Sequence, residues 1–230
     1  MTITLIWPTP EVIGAVHHAL CNLSPTATNR IVGSSGTVRT GDIIDTGAIL
    51  ACPWPERELG GLWTPATAAS AYAYGGGSHA STWISNVAVR RLDIDLVDDG
   101  NRQGYIEVSK LFVGKSWSPL MNVDYDSSLS FPSTGTVFRT RGGGRRSTRG
   151  TKSKRLTVPL SNMNEADRGN LVDLLVANGT EDGFIYSQYP NDQSPKRERD
   201  FQGYFALADT PAMRRLSSSR NGTELTLESI

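Results

Sequence analysis

The chain has 230 residues, with 23 basic and 23 acidic side chains and a formal net charge of zero. That length can bury a hydrophobic core in one large or two small domains, and the balanced charge argues against a domain that is basic over a whole face, as nucleic-acid-binding domains usually are. The two cysteines, Cys21 and Cys52, are too few for a disulfide framework. One bridge between them stays possible, although we expect free, buried thiols in a reducing cytosol.

Two kinds of segment are missing from the sequence. No apolar run reaches the ~18 positions of a membrane span, and the N-terminal residues lack the basic and long apolar regions of a secretory signal. Runs of helix-favouring residues are scarce, whereas turn residues recur at intervals of about ten, which is typical of β-rich proteins with many short strands. We therefore expect a soluble, mainly β protein.

The first half of the chain has weak local patterns. Residues 2–7 predict a short strand that ends at the prolines following it, and residues 11–23 have mixed spacing that leaves helix and strand equally open. Residues 46–56 predict a buried strand ended by prolines. Residues 66–83 are rich in small residues and predict a surface loop.

The pattern sharpens after residue 86. Apolar and polar residues alternate over 86–98, with a phase shift at Arg90–Arg91 that predicts a β-bulge. They alternate again over 104–114, so we expect two half-buried antiparallel strands joined by a polar turn. The alternation places Asp93 and Asp95 on a solvated strand face, which we favour over a calcium site.

A linker-like segment, residues 115–122, predicts a domain boundary near 117, which gives domains 1–116 and 117–230. Residues 122–131 and 155–160 predict strands. A helix is expected over about 164–178, because Asn164 can cap its N-terminus and Gly179 can follow its C-terminus. Its apolar positions are spaced to cover one face of a sheet.

The C-terminal part predicts more strands. Residues 183–190 and 201–207 have strand patterns on either side of a polar loop. Near the end of the chain, Asn221-Gly222 is a strong signal for a hairpin turn.

Between the strands at 122–131 and 155–160 lies a segment, about 138–156, with eight basic residues and no acid. Without it, the chain has 15 basic against 23 acidic residues, so the positive charge is local. The strands on both sides predict a long β-hairpin or loop, which could bind phosphates, dock into an acidic groove of a protein, or stay disordered. We favour protein docking, and the basic residues are Arg139, Arg141, Arg145, Arg146, Arg149, Lys152, Lys154 and Arg155.

Catalytic chemistry is thinly represented. His17 and His18 are adjacent and His79 stands alone, without metal-ligand spacing. We expect no catalytic residue, metal or cofactor. Aromatic residues of the first half could stack on sugars in a carbohydrate-binding module, although we expect such rings more often to plug the ends of a β-sandwich. The candidate sugar contacts are Trp63, Tyr72, Tyr74 and Trp83.

Several segments of the second half resemble one family of proteins. They are "RRLDIDLVDDGNRQGYIEVSKLFVGKSWSP", "RLTVPLSNMNEADRGNLVDLLVANGTEDGFIYSQYPND" and "FQGYFAL". Their GYIE strand, the G-K-x-W-x-P junction, the short helix and the aromatic strand resemble the distal tail and minor tail-tip proteins of long, non-contractile-tailed bacteriophages. The resemblance covers roughly residues 87–208.

That resemblance implies a β-sandwich, jelly-roll or galactose-binding-like, followed by a ring-forming β-domain with one helix on its sheet. It implies a homo-oligomeric ring, expected to be a hexamer, assembled in the host cytoplasm and located at the virion tail tip. The ring would join the tail tube protein to the hub or fibre proteins. The basic segment would be an assembly arm, with contact to DNA in the channel as a side property and no contact with membranes.

Overall fold

A computed structural model describes residues 1–24, 26–51, 78–101, 103–148, 150–190, 197 and 200–229. Over these residues the protein is mainly β, with fourteen strands and one helix. The chain divides into two compact units, Met1–Trp117 with Tyr189–Asp200, and Ser118–Gln188 with Phe201–Ile230. The division after Trp117 lies one residue from the boundary that the sequence predicts. No helix in the described ranges is long and apolar enough to cross a bilayer.

The described residues of unit 1 form six strands: β1 (Thr2–Cys21), β2 (Thr28–Ser34), β3 (Asp42–Asp45), β4 (Ile49–Leu50), β5 (Ser78–Val97) and β6 (Val108–Gly114). They make an antiparallel sheet in the order β3-β2-β5-β1-β6, with β4 also paired to β2. Strands β1 and β5 have 20 residues each and form the centre of the sheet.

Strand β1 continues through Pro8 and Pro10, so the prediction that the strand ends there is wrong. The register with β5 jumps from Ile6↔Arg91 to Glu11↔Val89, which leaves four residues of β1 opposite one of β5. Because both prolines fall in this gap, their missing N–H groups remove no ladder hydrogen bond. The irregularity lies where the phase shift in β5 predicts a bulge.

The helical alternative for residues 11–23 is also wrong, because residues 11–21 belong to β1. Both faces of the strand are covered here: Val16, His17, His18 and Ala19 are all buried. A strand buried on two faces loses the alternation of apolar and polar residues that identifies a half-buried strand. This explains why the local pattern left helix and strand open.

Strands β5 and β6 do not form the predicted hairpin. Strand β1 lies between them and pairs with both. Strand β6 also begins at Val108, four residues after the predicted start, and β4 covers only two residues of the strand predicted at 46–56. The residues from 52 to 56 of that strand lie outside the described ranges.

Asp93 is not on a solvated face, as the alternation predicts. It is buried at 2% exposure, and its carboxylate accepts hydrogen bonds from Arg91 Nε at 2.9 Å and from Thr4 Oγ1 at 2.6 Å. The hydrogen bond from the Arg91 guanidinium holds the pKa of Asp93 below its ordinary value. An aspartate can occupy this buried position because an arginine two residues away on the same face covers it.

The described strands of unit 2 are β7 (Ser128–Ser130), β8 (Val137–Arg139), β9 (Arg145–Ser147), β10 (Arg155–Met163), β11 (Phe184–Ser187), β12 (Gln202–Leu207), β13 (Arg214–Arg215) and β14 (Asn221–Ser229). Six of them form a second antiparallel sheet in the order β11-β12-β14-β10-β7, with β13 paired to β14, and β8 and β9 form a separate pair. Strand β7 is shorter than the strand predicted at 122–131, whereas β10, β11 and β12 lie where the sequence predicts them.

The helix α1 (Glu165–Asn178) confirms the sequence prediction, including its caps. The side chain of Asn164 accepts a hydrogen bond from the backbone N–H of Asp167 at 2.7 Å. Gly179 has φ 57° and its N–H bonds to the carbonyl of Leu175. Leu171, one of the apolar helix positions predicted to cover the sheet, is buried.

The predicted turn at Asn221-Gly222 is wrong, because both residues lie in β14. The turn precedes them, where the N–H of Leu216 bonds to the carbonyl of Arg220 at 2.9 Å. Gly222 allows close packing instead: a Cβ there would lie 2.8 Å from Leu216 Cδ1 and 3.2 Å from the Leu160 carbonyl oxygen.

Candidate functional site: a basic hairpin arm

The basic segment forms the outer part of a long two-stranded hairpin, which we call the arm (residues 131–152). At its base β7 pairs with β10, with Ser130 opposite Arg155. The ladder continues through a bridge between Ser133 and Lys152 to the β8-β9 pair. Ten residues separate Ser130 from the turn at Thr140, so the hairpin is roughly 30 Å long at about 3.3 Å per residue.

The tip of the arm is a tight turn built on glycine. The N–H of Thr140 bonds to the carbonyl of Gly144, and the N–H of Gly143 bonds back to the carbonyl of Thr140. Gly143 has φ 81°, a conformation that glycine adopts without strain. Of the sequence alternatives, a long β-hairpin or a loop, the structure has the hairpin, closed by this turn.

A glycine pair lies halfway along the arm, where the two backbones approach each other. A Cβ on Gly150 would lie 1.9 Å from the backbone nitrogen of Gly135, and a Cβ on Gly135 would lie 2.5 Å from the carbonyl oxygen of Thr148. The ladder also changes register between the Ser133↔Lys152 bridge and the Val137↔Ser147 pair. Only glycine fits this crossing at both positions.

Alternation along the two strands gives the outer arm two distinct faces. Residues paired across an antiparallel ladder share a face, so Val137, Arg139, Arg145 and Ser147 form one face, which we call the arginine face. Phe138 and Arg146 point to the other side together with Thr136 and Thr148, whose hydroxyl oxygens are 2.9 Å apart. We call this second side the phenylalanine face.

Both faces of the arm are open to solvent. Every described residue from Thr136 to Lys152 is exposed, and the apolar side chains of Val137 and Phe138 are 56% and 53% exposed. Within the described part of the chain, no residue outside the arm forms a hydrogen bond or ion pair with the segment 136–148. Large apolar side chains exposed on an isolated ribbon indicate a surface that a partner covers.

The eight predicted basic residues have different positions. Five lie exposed on the arm, whereas two hold its base, and Arg149 lies outside the described residues. The five on the arm are Arg139, Arg141, Arg145, Arg146 and Lys152.

Lys154 is a structural residue of unit 2. It is only 8% exposed, its Nζ donates to the carbonyl of Gln202 at 2.6 Å, and the same atom lies 5.2 Å from the centre of the Phe205 ring. A buried ammonium group needs such partners. Lys154 therefore anchors the base of the arm to β12.

Arg155 follows Lys154 in the chain and begins β10. Its Nη2 lies 3.0 Å from the carboxylate of Glu228, which also accepts a hydrogen bond from Ser153 Oγ at 2.7 Å. The hydrogen bonds from Ser153 and Arg155 hold the pKa of Glu228 below its ordinary value. The ion pair joins β10 to β14, so Arg155 contributes to the sheet, and its side chain is 42% exposed.

Of the candidate sugar contacts, only Trp83 lies in the described ranges; Trp63, Tyr72 and Tyr74 lie outside them. Trp83 belongs to β5 opposite Ala15, and its indole nitrogen is buried without a hydrogen-bond partner among the described residues. The carbohydrate hypothesis stays a prediction.

Two histidines, His17 and His18, belong to the interior of unit 1. His17 and His18 are buried on β1, and His17 Nδ1 is hydrogen-bonded to the hydroxyl of Ser81. Burial lowers the pKa of His18 to about 4. The side chain of His79 lies outside the described set. No group of three His, Cys, Asp or Glu residues within the described ranges could hold a metal ion.

Comparison of the chain with protein-family models, with curated proteins and with solved structures gave no significant match in any of the three.

Proposed function

We propose that this protein is a structural, non-enzymatic component of a bacteriophage tail tip. It forms a homo-oligomeric ring, which we expect to contain six copies, between the tail tube and the hub or fibre proteins. The observation that carries the proposal is the arm, a paired ribbon of roughly 30 Å whose apolar side chains have no cover within the described part of the chain. Such a ribbon suits a protein that contacts its neighbours in an assembly.

The resemblance to tail-tip proteins supports the same proposal. The W-x-P junction falls at the division between the units, with Trp117 as the last residue of the first segment. The short helix is present as α1, and the aromatic strand is present as β11, which ends at Ser187, just before Tyr189-Pro190. The arm lies between two paired strands and immediately precedes β10 and α1.

The phenylalanine face is the surface that we assign to the contact between copies. Phe138 is its large apolar residue, and aromatic residues dominate the buried centres of protein interfaces. Arg146 is its direct cross-strand neighbour, and Thr136 and Thr148 form the next pair on the same face, as expected for the polar rim of an interface. Head-to-tail contacts through one such arm on each copy can close into a ring.

Mass photometry with negative-stain imaging tests this proposal. The wild type is expected to form closed rings, and Phe138→Ser is expected to shift most of the protein to smaller species. Val176→Ser is the matched control, because Val176 is 80% exposed on α1 in the same unit. A wild type that stays monomeric at the highest attainable concentration, or rings that survive Phe138→Ser and loss of the arm, would contradict the proposal.

A further inference from the structure

We infer that the arginine face of the arm binds the phosphate backbone of double-stranded DNA. This inference uses the opposite side of the ribbon from the one assigned to assembly and does not depend on the proposed function. It starts from an unfavourable feature of the arm itself. Arg139 and Arg145 are direct cross-strand partners, and like charges placed opposite each other destabilise a hairpin.

No acidic residue in the described part of the chain relieves this repulsion through an ion pair. The chain contains no Asp or Glu between Asp126 and Glu165, so the charges of the arm have no counter-charge within it. The Arg139 and Arg145 side chains are exposed and form no ion pair within the described residues. A ligand that brings several negative charges to this face would remove the repulsion and gain the attraction.

The shape of the arm favours duplex DNA as that ligand. The major groove of B-form DNA admits a two-stranded β-ribbon, and the outer arm is such a ribbon with an ordered tip. The tip combines the three glycines 142–144, which add no side-chain bulk, with Arg141, a further exposed basic side chain. Hydroxyl groups, such as that of Ser147 on the same face, are common donors to phosphate oxygens.

The chemistry of the side chains points to phosphate more than to an acidic protein surface. Arginine presents a planar group of donors that matches the oxygens of a phosphate in pairs, and the arginine face has two of them side by side. Protein interfaces usually place aromatic residues at their centre, whereas the only large aromatic residue of the outer arm, Phe138, lies on the other face. We therefore assign the two faces to two different partners.

The experiment measures binding of the full chain to a short mixed-sequence duplex, labelled with fluorescein, by fluorescence anisotropy between about 50 and 200 mM salt. We expect affinity to fall steeply with salt. The double variant Arg139→Gln/Arg145→Gln is expected to reduce the slope of log K against log salt by about 2, since each lost phosphate contact removes about 0.9. Arg139→Lys/Arg145→Lys keeps both charges and is expected to keep the slope.

Two controls separate this inference from the proposed function. Phe138→Ser is expected to retain DNA binding, and Arg139→Gln/Arg145→Gln is expected to retain the assembly state of the wild type. Polyglutamate serves as the probe for an acidic protein partner and is expected to compete weakly. Absence of wild-type binding to the duplex, an unchanged salt slope in the Gln variant, or polyglutamate binding as tight as DNA binding would each overturn the inference.

Discussion

Asn29 and Thr82 are joined by a hydrogen bond of 3.1 Å, from Nδ2 to Oγ1, and both side chains are buried in unit 1. Asn29 is paired with Leu96 at the end of β5, whereas Thr82 lies near the start of the same strand. In a straight strand, positions 82 and 96 would be about 45 Å apart. The bond therefore shows that the long sheet bends back over its own core.

Thr82→Val should destabilise unit 1, because it preserves the shape of the side chain but leaves the buried amide of Asn29 without this acceptor. We expect the free energy of unfolding to fall by about 1–3 kcal/mol. Thr40→Val, at an exposed position outside the strands, should change it by less than about 0.5 kcal/mol. Urea denaturation of both variants checks this, and equal midpoints would contradict it.

His18 should make the stability of unit 1 depend on pH. Its pKa is about 4 in the folded state because of burial, whereas an unfolded histidine titrates near 6.5. As the pH falls from about 6.5 towards 4, the unfolded chain binds a proton that the folded chain does not, so the free energy of unfolding should fall by on the order of 3 kcal/mol.

The pH dependence is measured by urea denaturation of the wild type and of His18→Gln across that range. The variant should lose most of the decrease between pH 6.5 and 4. An NMR titration of His18 in the folded wild type provides a second measurement that needs no variant. A midpoint near 6.5 in that titration would show that the ring is accessible and would refute the expectation.

Gly150→Ala should break the pairing of the arm at its middle, because the new Cβ would overlap the backbone nitrogen of Gly135. We expect the amides of β8 and β9 to lose their protection against hydrogen exchange, while those of β10 keep it. Gly142→Ala is the matched control, since its Cβ would meet nothing within 4 Å. Equal protection of β8 in the two variants would mean that the crossing tolerates a side chain.

Lys154→Met should destabilise unit 2, because the change removes the hydrogen bond to the Gln202 carbonyl and the cation over the Phe205 ring. The expected loss is about 1–3 kcal/mol, the cost of leaving a buried polar group unsatisfied. Lys152→Met, at an exposed position of the arm, should cost less than about 0.5 kcal/mol. Thermal unfolding of the two variants distinguishes a structural Lys154 from a surface charge.

Local chemistry was sufficient to predict α1 and the strands β10, β11 and β12. The cap at Asn164 and the positive-φ glycine at 179 are determined by residues within one turn of the helix, so they are visible in a short window of sequence. Strand β10 alternates cleanly because one of its faces is buried, as its burial pattern shows. Such elements depend little on which distant segment covers them.

Pairing between distant segments could not be predicted in the same way. The position of β1 between β5 and β6 depends on residues far along the chain, and nothing near residue 11 specifies it. Gly222 resembles a turn signal because glycine is common in turns, but its close contacts are with Leu160 on the neighbouring strand β10 and with Leu216, which follows β13. For the arm, the sequence identified the charge and the flanking strands, whereas the two faces follow only from the register.

The long-range pairing of β1 has a consequence during synthesis on the ribosome. Thr2 pairs with Asp95 and Ala15 pairs with Gly114, so β1 emerges long before either of its partner strands. At about 5–20 residues per second, the apolar strand around Ile13 and Val16 stays unpaired for several seconds. During this interval the nascent chain offers a binding site to chaperones that hold extended apolar segments, and slowing translation between codons 22 and 78 should lengthen that exposure.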